Sequence, residues 1–174
     1  MDRSTTDVAF TPAVKAQQQH WGSRRGYAAL ESRGGWPADI DAGLTEFIEA
    51  RDSFFLATAS ADGQPYMQHR GGAPGFLRVV GPRTLAFADY RGNKQFISVG
   101  NLSENPRAMI FLIDYVEQQR VKIWGKARVV EDAAQVAKLL RAGDPKADRA
   151  IVFEVEAWDV NCPQHIPAMV PVKR

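Results

Sequence analysis

The feature that most constrains the fold is a series of short apolar segments that turn back on themselves. Residues 53–60 (SFFLATAS) predict a buried strand, Asp62-Gly63 a turn, and residues 66–70 the returning strand of a hairpin. Parallel strands need a long crossover connection after each strand, and few helices are predicted between these segments. The pattern therefore favours a closed or nearly closed antiparallel barrel over a parallel α/β sheet.

Segments of the same kind continue towards the end of the chain. Apolar or alternating residues predict further strands at 76–80, 84–88, 108–113, 121–130 and 150–157. From the whole series we expect a mainly β fold, a six-stranded antiparallel barrel with peripheral α-helices.

Helical patterns are short and lie mostly at the start of the chain. Helix formers, caps and breakers predict helices at 14–30 (in one or two pieces), directly after Asp41, at 93–102, and from Asp132 to Arg141 with Gly143 as the C-terminal cap. We therefore expect an N-terminal helical extension at residues 1–40 and a barrel domain at residues 41–174.

Composition excludes several classes of protein. No apolar run approaches the roughly 18 residues that span a bilayer, and the first ten residues lack the apolar core of a secretory signal. We therefore expect a cytoplasmic protein that is not bound to a membrane. The net charge is +2 and the basic residues are dispersed, which argues against a nucleic-acid partner. The single cysteine, Cys162, rules out an internal disulfide framework.

The segment 85–96 (LAFADYRGNKQF) is the most informative one for function. A predicted strand ends here, Gly92 permits a tight turn, and a helix is expected to begin with Lys94 in its first turn. Amide groups at a helix start, aided by a lysine, form a cradle for phosphate. The alternative is a plain turn in which Gly92-Asn93 caps the helix and Lys94 is solvated.

The returning strand of the first hairpin carries a second group of polar residues. Period-two alternation puts Tyr66, Gln68 and Arg70 on one face and Met67 and His69 on the other. Arg70 can make a bidentate contact to an anion beside the cradle. The alternative is that Gln68 and Arg70 lie on an exposed barrel edge and that His69 is a packed or surface histidine.

Two other polar groups are candidates for ligand contacts. Gln119 and Arg120 stand at the head of a predicted central strand, where Arg120 either points at a ligand or simply ends a hairpin. Near the C-terminus, Trp158 and the segment 161–165 (NCPQH) bring together an aromatic ring, an amide, a thiol and an imidazole.

The C-terminal group does not predict a metal site. Cys162 and His165 have C-x-x-H spacing, but His20 and His69 lie far away in the sequence, so a second pair of zinc ligands is missing. A Cys-His nucleophilic pair remains open, although no third residue is evident to orient it. Packing of an aromatic tail is the simpler interpretation.

Taken in order, these motifs resemble the pyridoxamine 5′-phosphate oxidase superfamily. The segments that carry the resemblance are FFLAT (54–58), DGQP (62–65), QHR (68–70), FADYRGNK (87–94), NP (105–106) and the strand at 121–125. More narrowly, the chain is similar to the predicted flavin-nucleotide-binding branch, whose members often end with a segment like WDVNCPQH (158–165). The resemblance covers approximately residues 45–166. It implies a split β-barrel homodimer with two FMN molecules at the subunit interface.

The resemblance also implies which residues contact the cofactor. Arg70 corresponds to a strand arginine that contacts the flavin phosphate. Lys94 matches the lysine of a serine-arginine-lysine group in the oxidases, whereas Gly92 and Asn93 depart from its first two positions. The oxidases' C-terminal arginine and histidine, which hold the pyridoxal substrate, have no clear match, so a vitamin B6 substrate is not predicted. The cofactor-binding candidates are Gln68, His69, Arg70, Phe87, Ala88, Asp89, Tyr90, Gly92, Asn93, Lys94, Gln119, Arg120, Trp158, Asn161, Cys162 and His165.

Three functions are consistent with the sequence. The leading hypothesis is an FMN-dependent oxidoreductase that takes reducing equivalents from a donor such as NAD(P)H and passes them to oxygen or a small molecule. The second is a flavin-binding protein that stores, senses or delivers the cofactor without turnover. The third is a barrel that holds a deazaflavin or haem, and haem would require His69 or His165 as an axial ligand.

Overall fold

The computed structural model describes residues 4–141, 146–161 and 164–170. Within these residues, seven strands form one sheet in which every neighbouring pair is antiparallel. The spatial order is β2-β1-β5-β6-β7-β4-β3, so that β2 and β3 are the two edges. In chain order the strands are β1 (Ser53–Ala59), β2 (Pro65–Gly71), β3 (Arg78–Gly81), β4 (Thr84–Asp89), β5 (Arg107–Asp114), β6 (Gln119–Val130) and β7 (Arg149–Asn161).

The predicted mainly β class is confirmed, but the strand count of six was one too low. Each of the seven predicted strand segments forms a strand, including the two on either side of the turn at 82–83, so only the total was miscounted. β4 lies inside the sheet and pairs with β7, whereas the four-residue β3 pairs with β4 alone at the edge.

One face of the sheet wraps around a common core. Burial alternates along β1 and β5, as the period-two pattern predicts. Leu44 and Ile48, from the helix just before β1, and Leu102, from the helix just before β5, join the same cluster. The largest fully buried strand side chains are Phe54, Leu56, Leu85, Phe87, Ile110, Leu112, Ile123, Ile151 and Phe153.

Short helices lie around this barrel. The Asp41 carboxylate accepts a hydrogen bond from the Leu44 amide at 2.7 Å and caps the third helix, as predicted. None of the described helices is long and apolar enough to cross a membrane. The predicted helix end at Gly143 lies outside the described residues. The helices are a 3-10 helix (Thr5–Val8), α1 (Pro12–His20), α2 (Arg24–Glu31), α3 (Ala42–Glu49), α4 (Ile97–Glu104) and α5 (Ala133–Leu139).

The N-terminal segment is fastened to β6 and β7 by aromatic stacking and backbone hydrogen bonds. The rings of Trp36 and Trp124 are parallel, with centroids 4.8 Å apart. The Trp158 amide donates to the Pro37 carbonyl at 2.9 Å. The residues before α3 therefore pack against the long β6–β7 pair.

The start of α4 differs from the prediction. The sequence predicted a helix from Asn93 with Lys94 in its first turn, but the helix begins at Ile97. The Lys94 amide donates to the Arg91 carbonyl at 3.0 Å, and the Asn93 side chain accepts from the Gln95 amide at 3.2 Å. These two bonds hold a turn, because a side chain of the asparagine type competes with the helix for backbone amides.

A buried carboxylate stabilises the turn between β5 and β6. Asp114 accepts hydrogen bonds from the amides of Val116 (2.8 Å) and Glu117 (3.0 Å) and forms an ion pair with Arg51. Burial opposes ionisation of Asp114, but the Glu117 amide and Arg51 outweigh it and hold its pKa below the ordinary value.

We expect Asp114→Asn to lower the free energy of unfolding by about 1–3 kcal/mol at pH 7, because it removes charge-assisted bonds from a buried site. A carboxyl group whose pKa is lowered by folding stabilises the protein above its unfolded pKa of about 4, and this stabilisation is lost as pH falls through the folded pKa. The difference between the two proteins should therefore shrink below pH 4 in urea denaturation. Glu117→Gln, at an exposed neighbour, is the control; a difference that does not change with pH would contradict the assignment.

Candidate functional site

A cleft of about 270 Å³ lies between β2, the end of β4, the 90–96 loop and the first turn of α4. Tyr66, Gln68 and Arg70 line it from β2, whereas Met67 and His69 lie on the opposite, exposed face of the strand. The alternation predicted for this strand is therefore confirmed. The cleft is lined by Tyr66, Gln68, Arg70, Asp89, Tyr90, Arg91, Gly92, Asn93, Gln95, Phe96, Ile97, Ser98 and Val99.

Two arginines share one carboxylate in the wall of this cleft. Arg70 Nη1 lies 2.6 Å from Asp89 Oδ1, and Arg149 Nε lies 2.9 Å from Asp89 Oδ2. The side chains of both arginines are 13% exposed and that of Asp89 is 5% exposed. Arg70 Nε and Arg149 Nη2 are buried and have no hydrogen-bond partner. This trio therefore has one surplus positive charge and unused donors, which suits an anion.

The first turn of α4 faces the same cleft. No side chain caps the helix, and its first residue follows Phe96, which has a left-handed backbone (φ 53°). The first amides of a helix have no acceptor inside the helix and bear a partial positive charge. Ser98 Oγ donates to Gln68 Oε1 at 3.0 Å, which ties the helix start to β2.

The loop before α4 forms the rim. Gly92 and Lys94 both have positive φ angles, 47° and 62°. Lys94 is exposed and is not among the residues that line the cleft. Arg91 is held at 2.6 Å by Asp148, and this guanidinium lowers the pKa of the Asp148 carboxyl. The loop is therefore anchored to the residue just before β7.

Six of the cofactor-binding candidates meet in this cleft, and two more lie directly behind it. Phe87 is buried in the core, with the Arg70 guanidinium carbon 5.8 Å from its ring centroid, and Ala88 is the next residue of β4. The six that line the cleft are Gln68, Arg70, Asp89, Tyr90, Gly92 and Asn93.

The other candidates lie elsewhere in the chain. The His69 ring is 5.5 Å from that of Phe55 on the opposite face of β2. Gln119 and Arg120 begin β6, and Arg120 pairs with Asn161 at the end of β7. The Trp158 indole N–H donates to the Asp39 carbonyl at 3.0 Å. His165 is exposed, and Cys162 lies outside the described residues.

Arg149 and Ser98 belong to the site but were missed by sequence reasoning. Arg149 is the first residue of β7 and lies directly across from Asp89 in the antiparallel register. The two residues are 60 positions apart in the chain. Only the pairing of β4 with β7 reveals this contact, although a basic residue at the head of the last strand could have been noted.

A larger groove of about 740 Å³ lies beside the barrel, between the 3-10 helix and strands β1, β5, β6 and β7. Two of its basic residues are paired: Arg83 with Asp39, and Lys126 with Glu156 at 3.2 Å. None of the sequence-predicted site residues lines it. Over residues 4–141, 146–161 and 164–170, no three His, Cys, Asp or Glu side chains come together as metal ligands would.

The fold and the cleft agree with a known family. The family model described as pyridoxamine 5′-phosphate oxidase matches residues 40–162, well over half of the chain. The chain therefore belongs to the pyridoxamine 5′-phosphate oxidase family, and its barrel is the split barrel of that family. No curated protein matches it.

Solved structures show the same fold at low sequence identity. HupZ of Group A Streptococcus has a TM-score of 0.57 and 17% identity over 75% of this chain and 99% of its own. A putative pyridoxamine 5′-phosphate oxidase from Lactobacillus delbrueckii has a TM-score of 0.56 and 19% identity, covering 71% of this chain and 95% of its own. An FMN-binding protein from Syntrophomonas wolfei has a TM-score of 0.50 and 12% identity, covering 82% and 96%.

Proposed function

We propose that this protein is a flavoprotein that binds FMN through the cleft beside β2 and uses it as an FMN-dependent oxidoreductase. The observation that carries the proposal is the Arg70–Asp89–Arg149 trio next to the uncapped start of α4. A phosphate monoester bears about two negative charges near neutral pH and accepts several hydrogen bonds. Family membership and the FMN-binding protein of the same fold support the same cofactor.

The residues present match the chemistry of a flavin phosphate. Arg70 and the amides at the start of α4 would hold the phosphate, and Arg149 would balance Asp89 behind them. Gln68 and Tyr66 line the same wall and have polar groups for the rest of the cofactor. Asp89 is the one carboxylate among the described lining residues, and two arginines occupy it.

Bound FMN would supply the hydride or electron chemistry, with NAD(P)H as a candidate donor and a small molecule as the acceptor. The chain would bind the cofactor, orient it and control access to it. The cleft offers no free carboxylate among its described residues, so we assign no acid-base step to a side chain. A flavin-binding protein without turnover remains the alternative.

We also propose that a second copy of the chain packs on the outer face of the sheet. On the side opposite the core, His69, Phe55, Phe111 and Lys122 are successive partners across four strands. In the next row, Met67, Ala57 and Met109 are followed by Trp124, which is already covered by the Trp36 ring. Most members of these rows are apolar, and Met67 is 63% exposed. This face and the cleft share the edge strand β2, so a partner on the face would border the cofactor site.

The cofactor is tested by purifying the protein without added flavin and recording its visible spectrum. The released compound is then identified by chromatography after denaturation. We expect flavin absorption and FMN. A colourless protein that takes up no added FMN would contradict the proposal, as would a released deazaflavin or haem.

The dimer is tested by Met67→Glu, with Val116→Glu as the control. Both residues are exposed, at 63% and 53%, but Val116 lies in the β5–β6 turn, away from the two rows. A carboxylate in an apolar interface is costly to desolvate, so Met67→Glu should convert a dimer into a monomer. Light scattering after size exclusion gives the mass. An unmodified protein that is monomeric at micromolar concentration, or a Met67→Glu dimer of unchanged stability, would contradict the interface.

A further inference from the structure

We propose that Arg149 is a positioning residue that gives the cleft its preference for a phosphate monoester. By occupying one oxygen of Asp89, it leaves the charge of Arg70 available to the ligand. The inference rests on the proposed function and assigns a role to a residue that does not itself line the cleft.

The register of the sheet creates the contact. Asp89 is the last residue of β4, Arg149 is the first residue of β7, and the two are directly paired. Arg70 reaches the same carboxylate from the edge strand β2, which is not a neighbour of β4 in the sheet. Asp89 thus links strands β2 and β7: one of its oxygens contacts Arg70 and the other contacts Arg149.

The charges show why the second arginine matters. With Asp89 alone, the largely buried Arg70 would be neutralised, and an incoming phosphate would meet a carboxylate of the same sign. Arg149 offsets that carboxylate, so the cleft retains one positive charge. Arg91, the other arginine at the rim, is bound to Asp148. Apart from Arg70 itself, Arg149 is the nearby arginine of the described residues that is placed to balance Asp89.

Arg149 also contacts the start of α4. Its guanidinium carbon lies 5.0 Å from the centroid of the Phe96 ring, and Phe96 precedes the first residue of the helix. This cation–π contact links the head of β7 to the amides that face the cleft. The Arg149 side chain thereby both balances the charge of Asp89 and packs against the residue that precedes α4.

The experiment compares FMN with riboflavin, which lacks the phosphate. The dissociation constants of both flavins are measured by the quenching of flavin fluorescence. The proteins titrated are the unmodified apoprotein and its Arg149→Gln and Arg149→Lys variants. We expect Arg149→Gln to weaken the binding of FMN by about tenfold and that of riboflavin by less than about threefold, as for the loss of one charge-assisted interaction. Arg149→Lys keeps the charge and should recover most of the FMN affinity.

The control is Arg51→Gln, which removes a similarly buried arginine–aspartate pair that does not line the cleft. It should leave the ratio of the two dissociation constants unchanged. Asp89→Asn combined with Arg149→Gln removes both charges and should restore that ratio towards the unmodified value. Circular dichroism checks folding, and if Arg149→Gln does not fold, the lysine and double variants provide the test.

The outcomes separate the two levels of the proposal. If the Arg149 variants bound FMN and riboflavin more weakly by the same factor, the role of Arg149 would be purely structural and the inference would be overturned. An unmodified protein that binds FMN no better than riboflavin would instead overturn the proposed phosphate site itself.

Discussion

Arg70→Met is expected to weaken FMN binding by about a hundredfold while riboflavin binding changes little. Arg70 lines the cleft, whereas Arg149 lies behind it, so Arg70→Met would remove the proposed direct contact to the phosphate. Hydrogen bonds to charged groups contribute about 1.5–3 kcal/mol each, and each 1.4 kcal/mol corresponds to about a factor of ten in affinity. Methionine keeps an unbranched side chain of similar reach over Phe87, which limits the loss of packing.

Fluorescence titration of the apoprotein with each flavin measures this effect, repeated at rising salt because a phosphate–arginine contact weakens with ionic strength. Arg78→Met is the control, since Arg78 lies on the edge strand β3 and donates to the Leu139 carbonyl at 2.6 Å, outside the cleft. If Arg70→Met bound FMN as tightly as the unmodified protein, the phosphate would have to lie elsewhere.

The parts of the fold that could be predicted are those fixed by local patterns. Burial on β1 and the two faces of β2 follow from the alternation of side chains along a strand. The α3 cap follows from the position of Asp41 three residues before Leu44, because its carboxylate accepts a hydrogen bond from the Leu44 amide. Each of these features depends on residues close together in the sequence, so no knowledge of strand pairing was needed.

The parts that could not be predicted depend on long-range pairing or on competition between local structures. Arg149 meets Asp89 only because β4 and β7 are neighbours in this register. Residues 91–95 form a turn instead of the predicted helix, because the Asn93 side chain accepts a hydrogen bond from the Gln95 amide. That turn leaves Lys94 outside the set of cleft-lining residues, so the proposed phosphate site would rely on Arg70 and the start of α4 instead.

The largest effect on stability is expected from Gly125→Ala. Gly125 lies at a register shift between β6 and β7, where the two backbones approach closely. A Cβ atom there would overlap the Glu154 carbonyl oxygen and lie 2.6 Å from a ring carbon of the fully buried Phe153. Neither atom belongs to a flexible side-chain end, so the strand pair itself would have to move. We expect a loss of about 3 kcal/mol or more in the free energy of unfolding.

Gly26→Ala is the matched control, because a Cβ at Gly26 meets nothing within 4 Å and the residue lies in α2. Alanine is favoured over glycine in a helix by about 1 kcal/mol, so this variant should be as stable as the unmodified protein or slightly more stable. In thermal unfolding, a loss of 3 kcal/mol corresponds to a fall in Tm of roughly 6–12 °C for a chain of this size. Since β7 positions Arg149 behind the cleft, Gly125→Ala should also weaken the proposed FMN binding. A Gly125→Ala protein with unchanged Tm would mean that the two strands are not held in this register.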